Sequence, residues 1–136
     1  MNSLFTEKPL ILFANTYPKM TIEALEAFQK DIKKYQKKYA TLAGDIALVK
    51  KVILVHPQVR PPFSYLLQTA QTVSAVIKVK KIASRSFKGR GVQSGFRLIY
   101  AFFEGEERIV LIELYHKSKQ ANENRERIKA FLAMLE

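Results

Sequence analysis

The 136-residue chain contains no cysteine. That excludes disulfides, thiolate metal sites and cysteine nucleophiles, and it suits a reducing cytosol. Acids are scarce: 12 Asp and Glu stand against 23 Lys and Arg, a net charge of +11. Such a field favours nucleic acid, an anionic membrane or an acidic protein, the bland alternative being a solubilising surface charge. Long apolar runs are also missing. The run near the start, Leu10-Ile-Leu-Phe-Ala14, is too short for a signal or membrane helix and has no basic leader. A cytoplasmic protein with no membrane partner is therefore expected. Histidine occurs only at His56 and His116. No metal-ligand spacing and no Ser/His/Asp arrangement stands out, so no metal and no cofactor is expected. Repeats and low-complexity tracts are absent too.

What the chain does have is apolar content, 48% of its residues, enough to bury a core and to argue against disorder. We expect one domain over residues 1–136, with residues 1–8 an N-terminus that need not be ordered. Pro9 to Ala14 reads as a strand. Pro18 and Thr21 introduce a helix with Ile22, Leu25, Phe28, Ile32, Tyr35 and Tyr39 on one face, its lysines gathered toward the C-terminal half. A second helix is expected from about Thr41 to His56, with Leu42, Ile46, Val49, Val52 and Ile53 inward, closed by Pro57. The pair reads as a helical hairpin. His56 reads as a local cation or packed residue at that helix end.

Pro57 to Pro62 is an irregular connector, and beyond it the period changes. Val76–Ile82, Phe96–Phe103 and Arg108–Tyr115 read as strands, with Glu104–Glu107 a hairpin turn. A closing helix is capped by Asn122 or Asn124 and buries Ile128, Phe131, Leu132 and Leu135. The order expected is β-α-α-β-β-β-α.

The stretch SRSFKGRGVQSGFRLIY, residues 84–100, holds three of the five glycines. From Lys78 to Arg97 there are seven cations (Lys78, Lys80, Lys81, Arg85, Lys88, Arg90, Arg97) and no carboxylate. Lys78 and Lys80 share one strand face, and an antiparallel neighbour would bring Arg97 beside them. Three cations would then converge with no acid to neutralise them, either as an anion site or as a solvated, charged face. The glycines lack the Lys-Ser/Thr ending of a Walker loop and precede a strand, not a helix, so they read as turn residues of a long basic hairpin. His116, in Tyr115-His-Lys-Ser-Lys119, is either a proton-exchanging group or a polar strand end.

Phe28-Gln-Lys-Asp-Ile-Lys-Lys-Tyr35, then Ile77-Lys-Val-Lys80, Gly95-Phe-Arg-Leu-Ile-Tyr100 and Leu114-Tyr-His-Lys-Ser-Lys119 together resemble, in order and spacing, the RelE/ParE superfamily of bacterial type II toxin-antitoxin toxins. The resemblance runs over about residues 9 to 135. It implies an α+β fold: a small curved antiparallel sheet with an N-terminal helical hairpin packed on it and a C-terminal helix. For RelE-type members it implies a metal-independent endoribonuclease cutting messenger RNA on the ribosome. The ribose 2′-hydroxyl attacks the adjacent phosphodiester, giving a cyclic phosphate.

On that resemblance the Lys-x-Lys pair is Lys78 and Lys80, binding phosphate, one of them with a depressed pKa as base. Arg97 stabilises the transition-state phosphate. A rival register would set Lys88 and Arg90 on the lysine positions. The family's later arginine falls near Ser118 and has no clean counterpart, so His116, Lys117 or Lys119 would substitute. Lys81, Arg85, Lys88, Arg90, Tyr115 and Lys119 would hold RNA. The implied partners are an acidic cognate antitoxin, the ribosome and mRNA, and operator DNA for the toxin-antitoxin complex. A ParE-like toxin that inhibits DNA gyrase without catalysis is the alternative, as is a catalytically silent nucleic-acid-binding member. The basic Lys78, Lys80 and Arg97 group argues against the ParE-like reading.

Overall fold

The computed structural model describes residues 20–70 and 73–135. The strand expected at Pro9 to Ala14, and residues 1–8, lie outside the described residues. A five-stranded sheet runs in the order β1-β5-β4-β3-β2, with strands β1 (Thr21–Ala24), β2 (Ser64–Ala70), β3 (Val73–Val79), β4 (Phe96–Phe103) and β5 (Arg108–His116). Helices α1 (Glu26–Gln36), α2 (Leu42–Val55) and α3 (Arg125–Met134) complete it. The sheet is mixed, not wholly antiparallel as expected, because β1 pairs parallel with β5.

The first helix begins later than its periodicity implies. Ile22 lies in β1, and Leu25 is the extended residue before the helix, with no side-chain cap. A step of three from Ile22 to Leu25 fits a helix face, yet Arg108–Leu111 offers this short run a free strand edge. Tyr39 falls beyond α1 in the turn to α2. Within α2, Leu42, Ile46, Val49 and Ile53 are buried as expected, whereas Val52 is exposed.

Alternation in β3, β4 and β5 divides the core between two faces. Ile77, Val79, Leu98, Tyr100, Leu111 and Leu114 meet Phe28, Leu42, Ile46 and Ile53 of the helical hairpin. Val76, Ile99, Ala101, Val110, Ile112 and Tyr115 meet Ile128 and Phe131 of α3 on the other face. Asn124 caps α3, its side chain accepting from Arg127 N. Past the end of β1 the free edge of β5 is closed by side chains: Asp31 accepts from Leu114 N, the Tyr35 hydroxyl accepts from His116 N, and Arg127 donates to Ile112 O. Arg127 also binds Asp31 at 2.6 Å, joining α1 to α3 around that edge.

Candidate functional site

At the Lys80 end of the sheet, β2, β4 and the segment after β5 enclose a polar cleft of about 240 Å³. Lys80, Lys81, Arg97 and Lys117 line it, with Tyr65 and Gln93, and no carboxylate among the described residues does. None of these four cations is ion-paired among the described residues. Like charges gathered without an acid cost folding energy, which an anion in the cleft would return.

Each wall residue is placed by a local rule. Arg97 opens β4, on the sheet face shared with Ile99 and Ala101, and its Nη1 donates to Lys80 O at 3.3 Å and to Phe96 O at 3.2 Å. The arginine is thereby held at the end of β3 with the rest of its fork free. Lys80 follows β3, its amide bonded to Phe63 O, and its ammonium sits 5.2 Å from the Tyr65 ring centroid. Lys117 N bonds Gly95 O, which fixes the exit of β5 against the entry of β4. The β3–β4 register, Val79 with Leu98 and Lys78 with Ile99, keeps the lysine pair at 78 and 80. The rival register falls, since Lys88 and Arg90 lie in the loop, off the sheet.

Lys78 departs from expectation. Its ammonium is bonded to Glu123 at 2.8 Å, with only 12% and 7% of the two side chains exposed. The triple of cations without an acid is therefore reduced to Lys80 and Arg97, joined instead by Lys81 and Lys117. Burial alone would lower the Lys78 pKa, but the Glu123 bond and neighbouring Tyr115 outweigh it and raise it. The depressed pKa expected of a base is absent at this lysine. Glu123 was overlooked because it lies 45 residues away and Asn122 to Asn124 read only as a cap.

His116 is buried, and both ring nitrogens are engaged. Nε2 lies 2.8 Å from Ser94 O, so it carries the proton and donates. Nδ1 then accepts from the Ser118 hydroxyl at 2.8 Å and the Ser118 amide at 3.1 Å. The ring stacks on Phe87, centroids 5.2 Å apart, and meets Phe96 edge-on at 5.0 Å. Burial, with Lys117, Arg97 and Arg90 nearby, lowers its pKa against the opposing Ser94 bond. The proton-exchanging role expected of His116 has no free nitrogen here; the ring is a neutral wedge behind the cleft.

The remaining candidates scatter. Tyr115 is buried, and its hydroxyl has no hydrogen-bond partner of ordinary geometry among the described residues. Lys119 is exposed beyond β5. Arg90 lies over the Phe87 ring at 5.5 Å. Arg85 and Lys88 line a different cleft, on the far side of the loop.

That loop is a packed structure. Buried Asp45 accepts from the Ser84 hydroxyl at 2.7 Å, from the Thr41 hydroxyl at 2.7 Å and from Arg85 N at 3.3 Å. Phe87 inserts among Tyr39, Phe96 and His116. Gly89, Gly91 and Gly95 all have positive φ, as turn residues should. Two cleft residues escaped the sequence reading. Tyr65 belongs to β2, an edge strand whose apolar alternation is broken by two register shifts, and Gln93 carried no motif.

The architecture is thus an α+β sheet with a helical hairpin on one face, a single helix on the other, and a cationic cleft at the sheet's end. That fold is RelE-like. The chain superimposes on the RelE–RelB complex structure from the archaeon Pyrococcus horikoshii OT3 with a TM-score of 0.51 and 12% sequence identity, covering 74% of this chain and 98% of that one. No protein-family model and no curated protein matches the sequence. None of the helices among the described residues is long and apolar enough to cross a membrane.

Proposed function

We propose that this chain is the toxin of a toxin-antitoxin pair, a cytoplasmic single-domain endoribonuclease that cuts mRNA on the ribosome. The observation that carries the reading is the acid-free cleft of Lys80, Lys81, Arg97 and Lys117 on a RelE-like fold. Its net charge of +11 suits an RNA-rich partner and an acidic antitoxin alike.

The chemistry proposed is attack of a ribose 2′-hydroxyl on its own 3′-phosphodiester, releasing a 5′-hydroxyl and leaving a cyclic phosphate. Negative charge grows on the equatorial phosphate oxygens, and the free fork of Arg97 is aimed to bind two of them. Lys80 adds a second charge from the neighbouring strand end, while Lys81 and Lys117 hold flanking phosphates. Tyr65, exposed and topped by the Lys80 ammonium, offers a face on which a base stacks. His116 takes no part in proton transfer. The 2′-hydroxyl proton passes to water and the leaving 5′-oxygen takes one from it, while the cleft cations stabilise the charge that develops between the two transfers.

The test is cleavage in a translation extract, with mRNA 5′ ends mapped. Native chain should produce new ends within codons, and Arg97→Ala should cut about 10- to 1,000-fold more slowly, the range for losing one charge-stabilising donor. Intact mRNA at stoichiometric native protein would sink the reading, and inhibited gyrase supercoiling in its place would give the function to a binding toxin.

A further inference from the structure

Across the 83–92 loop from the basic cleft lies an apolar one of about 560 Å³, walled by Leu48, Ala83 and Phe87. It runs on into a hollow of about 290 Å³ past Val49, Val52 and Val92. Leu48, Val52 and Val55 form a stripe at steps of four and three along α2, with Leu48 61% and Val55 86% exposed. A stripe that would be core on any packed helix stands in water here. Cations rim it: Arg85 and Lys88 on the loop, Lys81 and Arg60 beside Val52, Lys51 by Val55. Asp45 is the one acid among the described residues that line it, and that carboxylate is spent on Thr41, Ser84 and Arg85.

We propose that this cleft docks an amphipathic helix of the antitoxin, apolar side chains in the trough and carboxylates over the cationic rim. The inference rests on the toxin reading above. Charge selects the occupant. A second copy would set one cationic rim against another, and residues 1–19 carry one acid, Glu7, against Lys8 and Lys19. A helix suits the site better than a strand, because a helix and a loop wall it and offer no ladder of free backbone groups. Lys81 and Val92 line both clefts, so an acidic helix lodged here reaches the wall of the basic cleft and competes for one of its cations.

The test uses the full chain and the small acidic protein encoded beside its own reading frame. Leu48→Glu and Val55→Glu change exposed residues, so their thermal unfolding should match the native chain, and mRNA cleavage by Leu48→Glu should be unchanged. Each should weaken the complex at least about tenfold by calorimetry, since it removes apolar contact and sets acid against acid. Hydrogen exchange should slow at residues 44–55 and 83–92 on complex formation. A native complex that both variants bind with unaltered affinity, or exchange protection elsewhere, overturns the docking site while leaving the antitoxin reading intact. No complex at all overturns both. Two further outcomes also overturn it: a free-chain dimer dissociated by Leu48→Glu, and a cleft opened to exchange by deleting residues 1–19.

Discussion

Replacing Gly95 by alanine should be among the most damaging single-methyl changes available to this protein. Gly95 has φ +97°, and a Cβ there would lie 2.6 Å from His116 Nε2, 2.8 Å from its Cε1 and 3.3 Å from Lys117 Cγ. Two costs add. An L side chain in that backbone region costs roughly 1–2 kcal/mol. The ring must also move out of its stack with Phe87, breaking the Nε2–Ser94 bond and stranding a buried carbonyl, for roughly another 1–3 kcal/mol. The sum, about 2–5 kcal/mol, is a large share of the stability of an ordinary domain. Gly89 separates the two costs: φ is +80° with nothing within 4 Å, so Gly89→Ala should lose only the backbone part, about 1–2 kcal/mol. Urea denaturation with m held constant gives both numbers. Equal losses would refute the steric argument, and so would a Gly95→Ala loss undiminished when His116 is also truncated to alanine.

Three other outcomes follow from the same geometry. Glu123→Gln strands the Lys78 ammonium in a mostly buried place and should cost about 2 kcal/mol near neutrality. Because the pair lowers the Glu123 pKa below its ordinary 4.5 and raises that of Lys78 above 10.5, this loss should be flat between those values. It should shrink as acid protonates native Glu123 and as alkali neutralises Lys78, and urea melts across pH follow it. The lowered His116 pKa means the unfolded chain binds the proton first, so stability should rise with pH up to about 6.5 and level off. His116→Asn should abolish that slope, and a native chain that gains stability on acidification from 6.5 would contradict the neutral-wedge assignment. Finally, Tyr65→Ala should weaken single-stranded RNA binding by about 1–3 kcal/mol while Tyr65→Phe keeps it, measured by fluorescence titration.

How much of this was legible in the sequence depended on whether a signal was local. β4 and β5, eight and nine residues long, are mostly apolar and rich in β-branched and aromatic side chains, which makes them legible as strands from Phe96 and Arg108. The hairpin helices followed from their period, as did Asn124 from its place before an apolar face. β1 is hidden because a four-residue strand contributes only Ile22 and Ala24 to the core, and the step of three from Ile22 to Leu25 continues the helical period. β2 is hidden: Ser-Tyr-Leu-Leu-Gln-Thr-Ala does not alternate polar with apolar, and its pairing is supplied by β3 across two register shifts. At the site, Lys80 and Arg97 are legible from strand alternation, antiparallel pairing and the family resemblance, and the fold sets Lys81 and Lys117 beside them. The partners of Lys78 and His116, Glu123 and Ser94, are not legible, because they are distant in sequence and carry no motif.

The 83–95 loop explains why one charged stretch of sequence became two surfaces. Asp45 pins its start to α2, and Gly95 pins its end against His116. Between them Phe87 enters the aromatic stack, Arg85 and Lys88 line the apolar cleft beside α2, and Gln93 shares the basic cleft with Arg97. Val92 stands at the ridge with a side in each cleft. Loosening the first pin should therefore act on both. Asp45→Asn keeps the size of the side chain but weakens its bonds to Ser84, Thr41 and Arg85, so residues 84–92 should exchange amide hydrogens faster. If the loop is the shared wall, antitoxin affinity and RNA affinity should fall together in this variant, whereas Leu48→Glu lowers only the first. A variant with faster loop exchange and both affinities intact would show that the two clefts do not depend on the wall between them.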